Sequence, residues 1–113
     1  MLPKQKRITR EQFKNTLPGG RSLYCELVSL RIAPFPGETS RFSFVVPKAV
    51  SKSAIKRNLL RRRGYSVIEK HLQNIKNAHI YAFFLKKGVE KLKFSEFETV
   101  LIDALKKTRL YAQ

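Results

Sequence analysis

Acidic residues are scarce in this 113-residue sequence: eight Asp and Glu stand against 24 Lys and Arg, and Asp103 is the only aspartate. Paired carboxylates able to hold two metal ions for phosphodiester hydrolysis are therefore not to be found at neighbouring positions. His71 and His79 have no Cys or Asp at metal-ligand spacing around them, and each reads as a surface or core imidazole. The expectation is a polypeptide with no catalytic residue and no metal ligand of its own. Cysteine is nearly absent too. Cys25 alone cannot close an internal disulfide, which agrees with a reducing compartment, and in Leu23-Tyr24-Cys25-Glu26-Leu27 it reads as a small strand residue. Long apolar runs are missing: a stretch such as Ile80 to Leu85 is far too short to span a bilayer. No apolar segment follows the basic N-terminus in the manner of a secretory signal. A cytoplasmic protein with no membrane partner is expected. Repeats and low-complexity linkers are also lacking, so residues 1–113 read as a single domain.

What is present is positive charge on a foldable chain. Apolar residues make up 42%, enough for a modest core, while the formal net charge is +16 and the pI near 10.5. Such an excess repels itself in the compact state, and its natural complement is a polyanion, with nucleic acid leading.

Local signals give the order of elements. Thr9 with Gln12 forms a capping box, flanked by Ile8 and Phe13 at the positions of a hydrophobic staple, so a short helix is predicted and ends at Pro18-Gly19-Gly20. From Leu23 to Ile32 the pattern is β, with Val28, Leu30 and Ile32 facing a core and Ser29 and Arg31 facing away. Pro34, Pro36 and Gly37 make a turn into a strand from Arg41 to Val46, ended by Pro47. Ser51 or Ser53 caps a long helix to about Ile75. Ala78 to Leu85, apolar on both faces, suits an interior strand. Ser95 to Glu98 reads as a capping box before a helix whose apolar face is Phe97, Val100, Leu101, Ala104 and Leu105. A β-α-β unit covered by helices on one side predicts an α/β two-layer sandwich: three helices and a mixed sheet of about four strands, in the order α-β-β-(β)-α-β-α. The other sheet face stays open, with Ser29 and Arg31 pointing into it.

The long helix carries the densest charge. At about 100° per residue, Arg57 and Arg61 fall on the same side as Ile68, Leu72 and Ile75, so this side is basic in its first half and apolar in its second. Leu59 and Leu60 read as anchors to the core. A charged helical run is often only a solvated face. Here the first acid downstream is Glu69, arginine dominates at Arg57, Arg61, Arg62 and Arg63, and Lys48, Lys52 and Lys56 extend the patch towards a helix N-terminus suited to phosphate.

The run from Lys48 to Arg63, following Val45-Val46-Pro47, resembles the signature region of the bacterial ribonuclease P protein subunit, where an Arg-Asn-Arg core opens a long helix after a Lys-bearing turn. The segment from Lys6 to Phe13 is similar to that family's N-terminal helix with its Arg and Phe, and the spacing to 77–107 fits its last strand and helix. Leu59 stands where the third residue of the core is Arg, Tyr65 stands where Arg is common, and Leu17 replaces the usual partner of the aromatic at Phe13. The resemblance implies a left-handed β-α-β crossover. It implies that Arg7, Lys48, Lys52, Lys56, Arg57, Asn58, Arg61, Arg62 and Arg63 dock on the catalytic RNA. Phe13, Leu17, Ser29 and Arg31 would form a cleft for the 5′ leader of precursor tRNA, Mg²⁺ would be held by the RNA, which cleaves, and the protein would be a monomer apart from its RNA. For Phe13, base stacking and the staple with Ile8 are both open. A ribosomal protein or RNA chaperone, sharing size, charge and fold class, is the alternative function.

Overall fold

The computed structural model describes residues 2–112. Three helices, α1 (Arg10–Asn15), α2 (Ala54–His71) and α3 (Phe94–Lys107), accompany four strands, β1 (Arg21–Tyr24), β2 (Val28–Pro34), β3 (Arg41–Val45) and β4 (His79–Leu85). The sheet order is β1-β2-β4-β3; β4 pairs antiparallel with β2 and parallel with β3, to which α2 connects it. This is the expected α/β sandwich with a mixed four-stranded sheet.

Alternation decides which face each strand buries. Val28, Leu30 and Ile32 of β2 meet Phe42 and Phe44 of β3, Tyr81, Phe83 and Leu85 of β4, Leu60, Val67 and Ile68 of α2, and Phe97, Leu101 and Leu105 of α3 in one core. Across the parallel β3/β4 pair the aromatic rings stack: Phe42 on Tyr81 at 5.1 Å between centroids, and Phe44 on Phe83 at 4.7 Å. Such pairs add about 0.5–1.5 kcal/mol beyond their buried area. Helix α2 approaches Phe44 closely because residue 64 is glycine, and Tyr65 sets its ring edge-on to Phe44 at 5.2 Å. The opposite sheet face holds a smaller cluster, Leu17, Ala33, Ile80 and Ala82, against which Ile8, Phe13, Phe35 and Phe84 pack. Helix α1 therefore lies on the face expected to be open and covers part of it.

Three local expectations need correction. The β stretch from Leu23 to Ile32 is two antiparallel strands, turned by Cys25 to Leu27, where the Cys25 N–H donates to Val28 O at 3.0 Å. Cys25 thus sits in a turn rather than a strand. No Gly or Pro marks that turn, so the sequence hid it. The helix α3 starts earlier than the Ser95 box: its N-cap is Lys93, whose N–H donates to Glu96 Oε1 at 2.8 Å. Leu59 is not an anchor, being 44% exposed, whereas Leu60 is 5% exposed in the core. The Thr9–Gln12 box formed as expected in both directions, and Ser53, not Ser51, caps α2 by accepting from the Lys56 N–H.

Glu98, left out of the cap, accepts from His71 Nε2 at 2.8 Å and pairs with Lys70 at 3.2 Å, while His71 Nδ1 meets Tyr111 Oη at 2.8 Å. This ties α2 and α3 to the chain end, which bridges Ile75 to Tyr111. The His71 hydrogen bond, with help from Lys70, holds the Glu98 carboxyl below its usual pKa. A depressed folded pKa contributes stability in full above the unfolded value of about 4.3 and loses it as pH falls through the lower folded value. Glu98→Gln should therefore cost stability at about pH 5 and cost progressively less towards about pH 3, read from urea midpoints of both proteins at each pH. An equal deficit at both pH values would remove Glu98 from the acid limb.

Candidate nucleic-acid interface

Charge converges where the N-terminal segment crosses the first turns of α2. The Ile8 N–H donates to Phe42 O at 2.9 Å and Arg41 Nη1 donates to Arg7 O at 3.1 Å, so residues 7 and 8 run beside β3 and bring Arg7 to the helix. Arg7, Asn58, Arg61, Arg62 and Tyr65 then line an open cleft of about 280 Å³. Arg61 Nη1 donates to Asn58 Oδ1, which couples two of the lining side chains. Tyr65 is largely buried and takes up the place of a further charge with a ring held by Phe44. Three guanidinium groups share this space with no carboxylate in its walls, and the Arg7 Nε is buried without a hydrogen-bond partner. A buried donor left unsatisfied costs about 1–3 kcal/mol, more when charged. Phosphate oxygens are suitable acceptors for guanidinium groups gathered in this way.

The other basic residues flank it. Arg57 Nη1 donates to Ser51 O at 2.9 Å and Lys52 O at 3.0 Å, fixing the connection that carries Lys48 and Lys52. Lys48, Lys52, Lys56 and Arg62 are exposed, and Arg57, Arg61 and Arg63 half-buried. The first turn of α2 contains no acid.

The second group gathers around α1. Phe13 is half-buried, tilted against Phe84 with centroids 6.0 Å apart. Ile8 and Phe13 both pack against the Leu17, Ala33, Ile80 and Ala82 cluster, and Phe13 is only partly buried there. Leu17 is buried beneath it. Arg31 works as a clamp: Nε donates to Leu17 O at 3.0 Å, Nη1 to Ser22 Oγ at 2.7 Å, and Nη2 to Pro18 O at 2.7 Å and Gly20 O at 3.3 Å. These bonds hold the α1–β1 connection on the sheet. Ser29 lies in register between Tyr24 and Phe84, with Val45 beyond, so one row crosses all four strands, half-buried at Ser29, Phe84 and Val45 and met by Phe13 at Phe84. Tyr24 is 78% exposed. Sequence reasoning missed Tyr24, Phe84 and Val45 in this row; only the register shows that they line up with Ser29. Neither histidine belongs to either group, His79 Nδ1 contacting Asn77 O at 2.9 Å, and among the described residues no three His, Cys, Asp or Glu cluster as a metal site.

A mixed sheet with two helices on one face, one short helix on the other and an arginine-lined cleft, in a chain of net charge +16, defines a small basic α/β protein of the kind found in ribonucleoproteins. The chain belongs to the ribonuclease P protein family: the family model described as Ribonuclease P matches residues 2–109. It is thus the protein component of a ribonucleoprotein endonuclease of tRNA processing, with ribonuclease P RNA as its partner. The fold is shared with the Staphylococcus aureus RNase P protein, at 17% identity over 96% of this chain and 99% of that one, with a TM-score of 0.84. The Thermotoga maritima RNase P protein gives 21% identity over 89% and 96%, with a TM-score of 0.80. No protein of curated function matches the sequence at a significant level. Among the described residues, no helix is long and apolar enough to cross a membrane.

Proposed function

We propose that this protein docks on ribonuclease P RNA through the Arg7–Arg61–Arg62 cleft and its lysine flanks, and guides the 5′ leader of precursor tRNA across the sheet row from Tyr24 to Val45, so aiding Mg²⁺-dependent removal of that leader. The observation that carries the reading is the cleft, where the three arginines Arg7, Arg61 and Arg62 converge with no acid among the described residues that line it. Lys48, Lys52, Lys56, Arg57, Asn58 and Arg63 extend the phosphate contacts on either side. The half-buried Phe13 offers a ring on which an unpaired base can stack, Ser29 a hydroxyl, and Leu17 and Arg31 hold the α1 side of the row in place. Stacking of this kind tolerates any leader sequence.

Among the described residues, no group of side chains fits a Mg²⁺ site. The chain's acids are few and scattered, and Asp103 lies exposed on α3. The metal and the bond-breaking are assigned to the RNA, and the protein contributes charge neutralisation and positioning. Its +16 replaces part of the divalent screening that two polyanions need to meet.

The test is reconstitution. Protein alone should leave precursor tRNA intact; with a bacterial ribonuclease P RNA it should restore accurate 5′ cleavage at Mg²⁺ concentrations where the RNA alone fails. The complex should also hold precursor tRNA more tightly than mature tRNA. Cleavage by the protein without RNA would overturn the division of labour, and binding with no gain in cleavage would favour a ribosomal or chaperone role.

A further inference from the structure

Two apolar side chains on α2 stand outside both clusters. Ile55 is 83% exposed, and Leu59, one helical turn later, is 44% exposed. At i and i+4 they form one continuous strip. Arg62 and Arg63 follow at the next i+3 and i+4 positions, Lys52 and Lys56 lie at its start, and Arg62 is shared with the arginine-lined cleft. In Arg57-Asn58-Leu59, Leu59 holds the third position of the Arg-Asn-Arg core, where the resembled signature has its second arginine. An apolar strip thus replaces charge inside the most basic surface of the molecule.

We infer that the Ile55–Leu59 strip seats an unstacked nucleobase of the RNA partner, with the phosphates flanking that nucleotide held by Arg62 and Arg63. The inference rests on the RNA-docking reading and adds what the RNA must offer there. A continuous A-form helix presents phosphates and 2′-hydroxyls to a protein face; a flat apolar base surface is offered only where a loop, bulge or end leaves a base unstacked. Laying that base on two aliphatic side chains removes apolar surface of both from water. The basic rim fits such a nucleotide by charge. It fits a second copy poorly, since a two-fold pairing of the strip would set the basic residues at its ends, Lys52, Arg62 and Arg63, against basic residues of another molecule of charge +16. Two side chains also fall far short of the roughly 800 Å² per partner that stable interfaces bury.

Ile55→Ser with Leu59→Ser in one protein tests this, because neither side chain is part of the core and Tm serves as the check on folding. Affinity for ribonuclease P RNA should fall about tenfold while the slope of log affinity against log salt stays unchanged, since no phosphate contact is lost. Chemical probing of that RNA should show one unpaired nucleotide protected by the wild type and exposed with the variant, other protections persisting. Unchanged affinity together with weakened binding by Arg61→Ala would sink the base seat alone; unchanged affinity in both would sink the docking reading beneath it. A wild-type dimer in sedimentation, or binding to anionic phosphatidylserine vesicles, that the double variant abolishes would reassign the strip to a second copy or to a lipid surface and overturn the proposal.

Discussion

Replacing Arg7, Arg61 and Arg62 together with alanine should lower affinity for ribonuclease P RNA by roughly a thousandfold, about tenfold for each charge-assisted phosphate contact removed. The same variant should flatten the salt dependence by about two to three units of slope, because fewer counterions are released on binding. Its Tm should be unchanged or raised. The three groups repel one another across a cleft with no carboxylate, and Arg7 carries a buried donor that nothing accepts. Loss of affinity with a lowered Tm would make the cleft a folding element. Full affinity with an unaltered slope would move the RNA site elsewhere.

Gly64→Ala should destabilise the protein, against the usual sign. In a helix interior alanine is favoured over glycine by about 0.5–1 kcal/mol. Here a Cβ at residue 64 would lie 2.6 Å from Cε2 and 2.7 Å from Cδ2 of Phe44. That ring cannot step aside: it stacks on Phe83 at 4.7 Å and receives Tyr65 edge-on at 5.2 Å. Overpacking of this kind costs about 1–3 kcal/mol, which should outweigh the propensity gain and lower Tm by several degrees. Because Tyr65 also floors the cleft, RNA affinity should fall in the same variant. A raised Tm would mean that α2 can lift from the sheet without loss.

These outcomes bear on what a sequence can carry. The Thr9 cap, the alternation of β2 and the apolar face of α3 are local patterns, and each was readable from residues a few positions apart. The β1–β2 turn was not, because Cys25-Glu26-Leu27 has no turn residue and is imposed by the pairing of Arg21 to Tyr24 with Ser29 to Ile32. Glu98 looked like a cap because its spacing from Ser95 fits one, yet its partner His71 comes from another helix. In the candidate interface, the basic residues were legible as charge, and Arg7 was placed by resemblance. Their meeting in one cleft depends on the Ile8–Phe42 bond, which joins distant chain segments. Arg31 shows the limit most plainly: as sequence it is a cation on an open strand face, and only the carbonyls of Leu17, Pro18 and Gly20 reveal a clamp. Leu59 was read as an anchor because apolar residues usually are, and its exposure follows from its angle on α2.

The strand order β1-β2-β4-β3 also has a consequence in time. The strand made last, β4, sits in the interior of the sheet, so β2 and β3 never touch as a ladder and each waits for it. A nascent chain that has left the ribosome only as far as α2 holds a hairpin, a lone strand and a basic helix with no sheet to bury their apolar sides. Its long-range pairing begins when His79 to Leu85 emerge, and assembly is then a late, concerted event rather than growth strand by strand.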